Sequence, residues 1–251
     1  METVRIGLEW FDNLLPEGFP VKTSTLVSGP GGSGKPLIGN AVVAAWLRAG
    51  GSVVFMSLQY PTRDFIFSSL KTVGDMDLND YAEHAAFIEL DPAHDGMAAP
   101  ANGGFKANLV KPDIWEAAIE QACGMVPDSG PGILVFGSAL NLLMFSPTYA
   151  AQTISKMRAT LADDKRRTYL FSASTQPKAE QVRQLEQAAD NLIMSHKERE
   201  AFVLHMSIER MKGVAFSNAE ITVPIAPEAL EEVKEVAHHS RQRVIPQISK
   251  I

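Results

Sequence analysis

The stretch from residue 23 to residue 50 restricts the fold of this chain more than any other. Thr23-Ser24-Thr25-Leu26-Val27-Ser28 reads as a short strand, and Gly29-Pro30-Gly31-Gly32-Ser33-Gly34 as a glycine-rich loop. Lys35-Pro36 then opens a long apolar helix that stops at Gly50-Gly51. Strand, glycine loop, lysine and helix in that order make a phosphate-cradling P-loop. Such a loop works because successive backbone N–H groups point inward at phosphate oxygens, and the following helix adds its positive end. Gly29, Gly31, Gly32 and Gly34 allow that backbone path, Ser33 lies within it, and Lys35 reaches for the β- and γ-phosphates. The pattern departs at its last position, where Ser or Thr should follow the lysine and Pro36 stands instead. Proline removes a hydroxyl that would ligate Mg²⁺. It also removes a backbone N–H from the cradle. The scaffold is spared, because proline is tolerated in the first turn of a helix.

Beyond this stretch, apolar runs alternate with amphipathic segments. Residues 52–57, 86–90, 132–136 and 168–172 read as strands, the unalternated ones suited to burial on both faces. Residues 61–73, 78–84, 112–125, 147–161 and 181–189 read as helices, and 191–194 as a short strand. Between 202 and 209 apolar and polar residues alternate strictly, which marks an antiparallel strand, with 218–223 as its partner. Residues 227–239 read as a surface helix and 240–251 as a tail. Residues 92–112 lack periodicity and are rich in Pro, Gly and Ala; such a long loop is either functional or disordered, and the expectation taken is disorder. The sum is an α/β fold with a mostly parallel, doubly wound sheet and antiparallel edge strands near the C-terminus. It is read as a single domain over 1–251, with a core of about 4–225 and a C-terminal helix and tail over 227–251.

Composition narrows the chemistry. The chain has 251 residues and a net charge of -6, which argues against nucleic-acid binding by bulk charge. One cysteine, Cys123, excludes an internal disulfide and a cysteine-cluster metal site. The six histidines show no metal-ligand spacing, and His238-His239 reads as a solvated helix end. No apolar run is long enough to span a membrane, and the N-terminus lacks the apolar core of a signal peptide, so the expected location is cytoplasmic. Ser172 and Ser174 close a strand at the end where open α/β sheets bind ligands, and so are candidate phosphate contacts.

Taken together, Ile6-Gly7-Leu8-Glu9-Trp10-Phe11-Asp12-Asn13-Leu14-Leu15, Gly18-Phe19-Pro20, the loop from Gly29 to Lys35, the strand ending near Gln59, the strand ending before Ser138 and Arg210-Met211-Lys212-Gly213 resemble the KaiC/RadA branch of the RecA-like ATPases. The resemblance implies ATP or ADP as ligand, held at subunit interfaces of a ring or filament. It also implies a catalytic glutamate after the second strand, where Gln59 stands, and a Walker B aspartate after the apolar strand, where Gly137 stands. Arg210 and Lys212 match the family's basic pair, which faces a neighbour's γ-phosphate. A glutamine can hold a water by hydrogen bonds but cannot take its proton as a carboxylate does. Metal ligand, metal-shell carboxylate and catalytic base are thus all replaced, at Pro36, Gly137 and Gln59, while the glycine and apolar framework persists. The reading is a catalytically degenerate member that binds nucleotide or phosphate weakly. It would not hold Mg²⁺ in the usual way, and it would serve as a regulatory or assembly module with a protein partner, without nucleic acid or membrane. Two alternatives stay open. One is a working ATPase with a metal site rebuilt from Asp64 and Glu89. The other is an interaction protein with an empty loop.

Overall fold

Strands without polar alternation need a layer on each face, and that requirement shapes the molecule. The structure, a computed structural model, describes residues 1–197, 203–224 and 227–251. Strands β1 (Thr3–Val4) and β2 (Phe19–Pro20) pair as a small antiparallel ribbon around the short helix α1 (Glu9–Asp12). The chain then runs β3 (Ser24–Gly29), α2 (Lys35–Arg48), β4 (Ser52–Ser57), α3 (Asp64–Gly74), a 3₁₀ segment (Leu78–His84) and β5 (Ala85–Leu90). It continues through β6 (Gly104–Ala107), α4 (Pro112–Cys123), β7 (Ile133–Gly137), a second 3₁₀ segment (Leu140–Phe145), α5 (Ala150–Asp163), β8 (Thr168–Ser174) and α6 (Ala179–Ala188). Strands β9 (Asn191–Lys197), β10 (Leu204–Arg210) and β11 (Ile221–Val223) lead to α7 (Pro227–His239) and α8 (Ile245–Ile248).

Among the described residues nine strands form one sheet in the order β11-β10-β9-β3-β8-β7-β4-β5-β6. Every pairing from β9 to β6 is parallel, and β10 and β11 add antiparallel at the β9 edge. Successive strand residues feed opposite layers. Val27, Phe55 and Phe136 pack with α2 and α3, and Leu26, Met56 and Val135 pack with α4, α5 and α6. Trp46 of α2 is fully buried and its Nε1 donates to Gly132 O at 2.9 Å. Trp115 of α4 is fully buried on the other side and donates to Thr160 Oγ1 at 3.0 Å. Each such ring removes enough apolar surface to contribute about 2–3 kcal/mol. No helix among the described residues is long and apolar enough to cross a membrane.

The fold class follows the sequence reading, but two segments do not. The expected disordered loop is ordered, and its end is the edge strand β6, parallel to β5. Asn102 and Gly103 both take positive φ, +48° and +73°, and turn the chain so that Ala101 bridges Gly104. A Cβ at Gly104 would lie 2.5 Å from Phe87 O, so only glycine fits where β6 meets β5. Asn108 fastens the rest by donating to Pro92 O and His94 O at 3.1 and 3.0 Å. The expected C-terminal tail is likewise helical, continuing α7 through a π-type turn (Ser240–Val244) into α8. Val244 and Ile248 recur at helical spacing and bury against the α4–α5 layer. Residue 202 of the alternating segment lies outside the described residues, and from Leu204 the alternation is seen as expected.

At the amino end of the sheet, Asp164 follows α5 and accepts Arg166 Nη2 at 2.9 Å and Tyr169 Oη at 2.7 Å. Arg167 reaches Glu120 Oε2 at 2.6 Å beside them. Burial alone would raise the Asp164 pKa, but the hydrogen bonds from Arg166 and Tyr169 outweigh it and hold the group down at about 2. Its folded pKa lies below the unfolded one, so the stabilisation is complete above about pH 4 and drains as pH falls towards 2. Asp164→Asn is expected to cost roughly 2 kcal/mol at neutral pH. It should also flatten the loss of stability across that acid window, as read by urea unfolding at a series of pH values.

Candidate functional site

The glycine loop lies at the carboxyl end of β3, where open α/β sheets bind ligands. Its course is set by a close approach: a Cβ at Gly29 would fall 1.9 Å from Ser195 O of β9. Gly32 and Gly34 take φ of +72° and +65°, a region costly for side-chain-bearing residues. Ser33 is buried and donates to Pro30 O at 2.9 Å, and its Oγ lies 2.9 Å from Ser195 Oγ. Thr175 N, just past β8, donates to Gly29 O at 3.0 Å. Ser174 Oγ stands 3.8 Å from where a Cβ of Gly31 would be, so the loop and the end of β8 are neighbours as the sequence suggested.

Lys35 is 5% exposed. Its Nζ lies 3.0 Å from Gly29 O, 2.6 Å from Pro30 O and 3.2 Å from Ser33 Oγ. Its ammonium therefore sits among the loop's own acceptors, at the centre of the turn. Pro36 occupies the first turn of α2, where Leu37 N still reaches Gly34 O at 2.9 Å. The helix starts undisturbed, and the position offers neither hydroxyl nor N–H.

Gln59 and Gly137 come to the same edge. Gln59 Nε2 donates to Ser138 Oγ at 3.0 Å, so the amide is tied to the residue after Gly137. A Cβ at Gly137 would meet the Phe171 ring at 3.0 and 3.2 Å and Met56 Cβ at 3.3 Å. Phe171 is Gly137's register partner on β8 and is fully buried. The space into which a side chain at 137 would grow is thus filled by an aromatic ring. Ser172 Oγ accepts Ala139 N at 3.2 Å, and Ser174 N donates to Asn141 Oδ1 at 2.8 Å. Asn141 went unread in the sequence. Its place in the 3₁₀ segment after β7 was hidden by the apolar residues around it. Positions 36 and 137 bring no side-chain oxygen or nitrogen to this edge.

Other candidates lie apart. Glu89 ends β5, four strands from β3 and so roughly 19 Å across the sheet. It pairs with Arg63 at 2.6 Å and lines a groove of about 260 Å³ with Ser57, Tyr60 and Lys106. Asp64 accepts Thr62 Oγ1 at 3.3 Å. Glu186 of α6 accepts Ser28 Oγ at 2.5 Å, on the face of Leu26 rather than beneath α2. Arg210 donates to Glu186 O and Ala189 O at 2.5 and 2.8 Å and so caps the end of α6. Lys212 Nζ meets Asp190 Oδ1 at 2.8 Å. Asp190 precedes β9, so this pair sits towards the amino end of the sheet, away from its own loop. A wider groove of about 800 Å³ lies against Arg48 and residues 2–7, at the far end of α2.

The family described as KaiC ATPase matches residues 4–236. Among solved structures, the KaiC-like protein of the hyperthermophilic archaeon Pyrococcus horikoshii superposes with a TM-score of 0.67. It shares 17% identity, over 90% of this chain and 96% of that one, a likeness of fold. No curated protein matches the chain.

Packing at position 137 gives a direct test. Gly137→Asp forces the Phe171 ring to move and places a carboxylate against a buried aromatic. It should destabilise the protein by about 1–3 kcal/mol, measured as a lowered melting temperature with the secondary structure intact by circular dichroism.

Proposed function

The chain belongs to the KaiC ATPase family, and we propose that it holds a nucleotide or phosphate weakly without Mg²⁺-dependent hydrolysis, as a regulatory or assembly module. One observation carries the reading. The loop keeps its glycine geometry and inward lysine, while the residues at the metal and water positions are Pro36, Gln59 and Gly137, none with a carboxylate. The nucleotide would be ATP or ADP. Its phosphates would meet the backbone N–H groups of Gly31, Gly32, Ser33 and Gly34, with Gly29 shaping the turn. Lys35 would exchange part of its contact with Gly29 O and Pro30 O for a phosphate oxygen. Gln59, tied to Ser138, can orient a water but cannot accept its proton. Removing one such electrostatic or acid–base group typically lowers a rate by 10²-fold or more, and three are replaced here.

Self-association into a ring or filament fits the family, and Arg210 and Lys212 are the residues we assign to a neighbour's phosphate. Both are engaged within their own chain, so that contact would require Arg210 to leave the end of α6 and Lys212 to leave Asp190. A second reading, a loop that stays empty, draws support from the same Lys35 contacts, since a phosphate must compete with three acceptors already in place. The rebuilt metal site has less behind it, because Glu89 stands four strands away and is paired with Arg63.

Thermal-shift titration with ATP and ADP, with and without Mg²⁺, separates these readings, because a ligand that binds only the folded state raises its melting temperature. The expected result is a shift of a few degrees, equal with and without Mg²⁺ and absent in Lys35→Ala. Steady ATP turnover that requires Mg²⁺ and disappears in Lys35→Ala would sink the proposal. No shift with either nucleotide would favour the empty loop.

A further inference from the structure

The antiparallel edge brings together three residues that lie far apart in sequence. His205 of β10 is the register partner of His196 on β9, and also of Thr222 on β11. Strand side chains alternate faces, so Glu220, two residues before Thr222, shares their face. Leu204, Met206, Ile208, Ile193 and Val223 fill the opposite face and belong to the core. The cluster therefore stands on the outer side of a well-anchored three-strand platform.

Its geometry is compact. Glu220 Oε2 lies 3.2 Å from His196 Nε2, and Glu220 Oε1 lies 3.6 Å from His205 Nδ1. The two imidazoles stack with centroids 5.0 Å apart and planes 17° from parallel. One donor atom from each residue falls within 4.8 Å of the other two. Around a tetrahedral Zn²⁺ with bonds of about 2.0–2.1 Å, neighbouring donors lie roughly 3.3 Å apart, so small side-chain movements suffice to close the set. The side chains of His196 and Glu220 are 47% and 50% exposed, which leaves an entry path and room for water as fourth ligand. The donor types select the ion: imidazole nitrogens suit Zn²⁺ and its neighbours, whereas Mg²⁺ and Ca²⁺ want oxygen alone.

We propose that His196, His205 and Glu220 form a site for a borderline divalent transition cation of the Zn²⁺ class. A bound ion joins β9, β10 and the entry to β11 by bonds outside the backbone ladder. It stabilises the folded chain, since the three donors converge only when these strands are paired. None of its three residues belongs to the glycine loop, although His196 follows Ser195, which packs against Gly29.

The test uses the full chain, stripped with a chelator and titrated with Zn²⁺ by calorimetry and by thermal shift, with Mg²⁺ in parallel. One equivalent of Zn²⁺ should bind and raise the melting temperature by a few degrees, and Mg²⁺ should not. His196→Ala and His205→Ala should each abolish that shift, and Glu220→Gln should weaken binding at least tenfold. His84→Ala and the double variant His238→Ala/His239→Ala should leave it unchanged. His196→Ala alters a half-exposed side chain, so its fold survives if His205→Ala proves unstable. The proposal fails if Zn²⁺ produces no shift or Mg²⁺ produces the same one. It fails equally if the shift survives His196→Ala or vanishes with the His238/His239 pair.

Discussion

How closely β9 runs past the end of β3 governs this molecule's carboxyl edge. Where Ser195 O would lie 1.9 Å from any Cβ on residue 29, only a glycine can leave the strand. The same residue's hydroxyl meets Ser33, and Ser33 with two loop carbonyls surrounds the Lys35 ammonium. A backbone-to-backbone approach thus fixes a glycine, the glycine sets the turn, and the turn places a positive charge in a buried position where local acceptors compensate it. Such a charge is tolerable only with that compensation. The loop's shape is therefore tied to the sheet that carries it.

Pro36, Gln59 and Gly137 sit in that frame in different ways. Pro36 and Gln59 are accommodated without rearrangement, the first in a helix turn with no need of its N–H, the second by a hydrogen bond to Ser138. Gly137 is different, because Phe171 has taken the space beside it. The framework around all three is the fully buried core of an α/β sheet of the KaiC type, with the antiparallel edge at β10 and β11. The scaffold here rests on burial and backbone geometry.

The parts of this arrangement legible in sequence were those with local signals. Glycines at 29, 32 and 34, the lysine after them, and unalternated runs bounded by helices foretold the parallel sheet and the loop's position. Strict alternation around Met206 foretold the antiparallel edge. What escaped depended on contacts between distant residues. β6 has one large apolar side chain, Phe105, and exists because Gly104 can lie against Phe87. The helical spacing of Val244 and Ile248 was masked by Pro246 and Gln247 between them. Neither the Phe171 ring over Gly137 nor the grouping of His196, His205 and Glu220 can be found without strand register, since no periodicity within one segment encodes a neighbour on another strand.

The helical C-terminal segment bears on how the chain assembles during synthesis. Ser240 approaches Gln59 O at 3.5 Å, and Gln247 lines the groove beside Glu89. At about 5–20 residues per second, Gln247 leaves the ribosome roughly 8–30 s after Glu89 does. For that interval the ends of β4 and β5 lack one wall, and the strands before them have long since emerged. The glycine loop is thus made well before the segment that flanks Gln59 and Glu89.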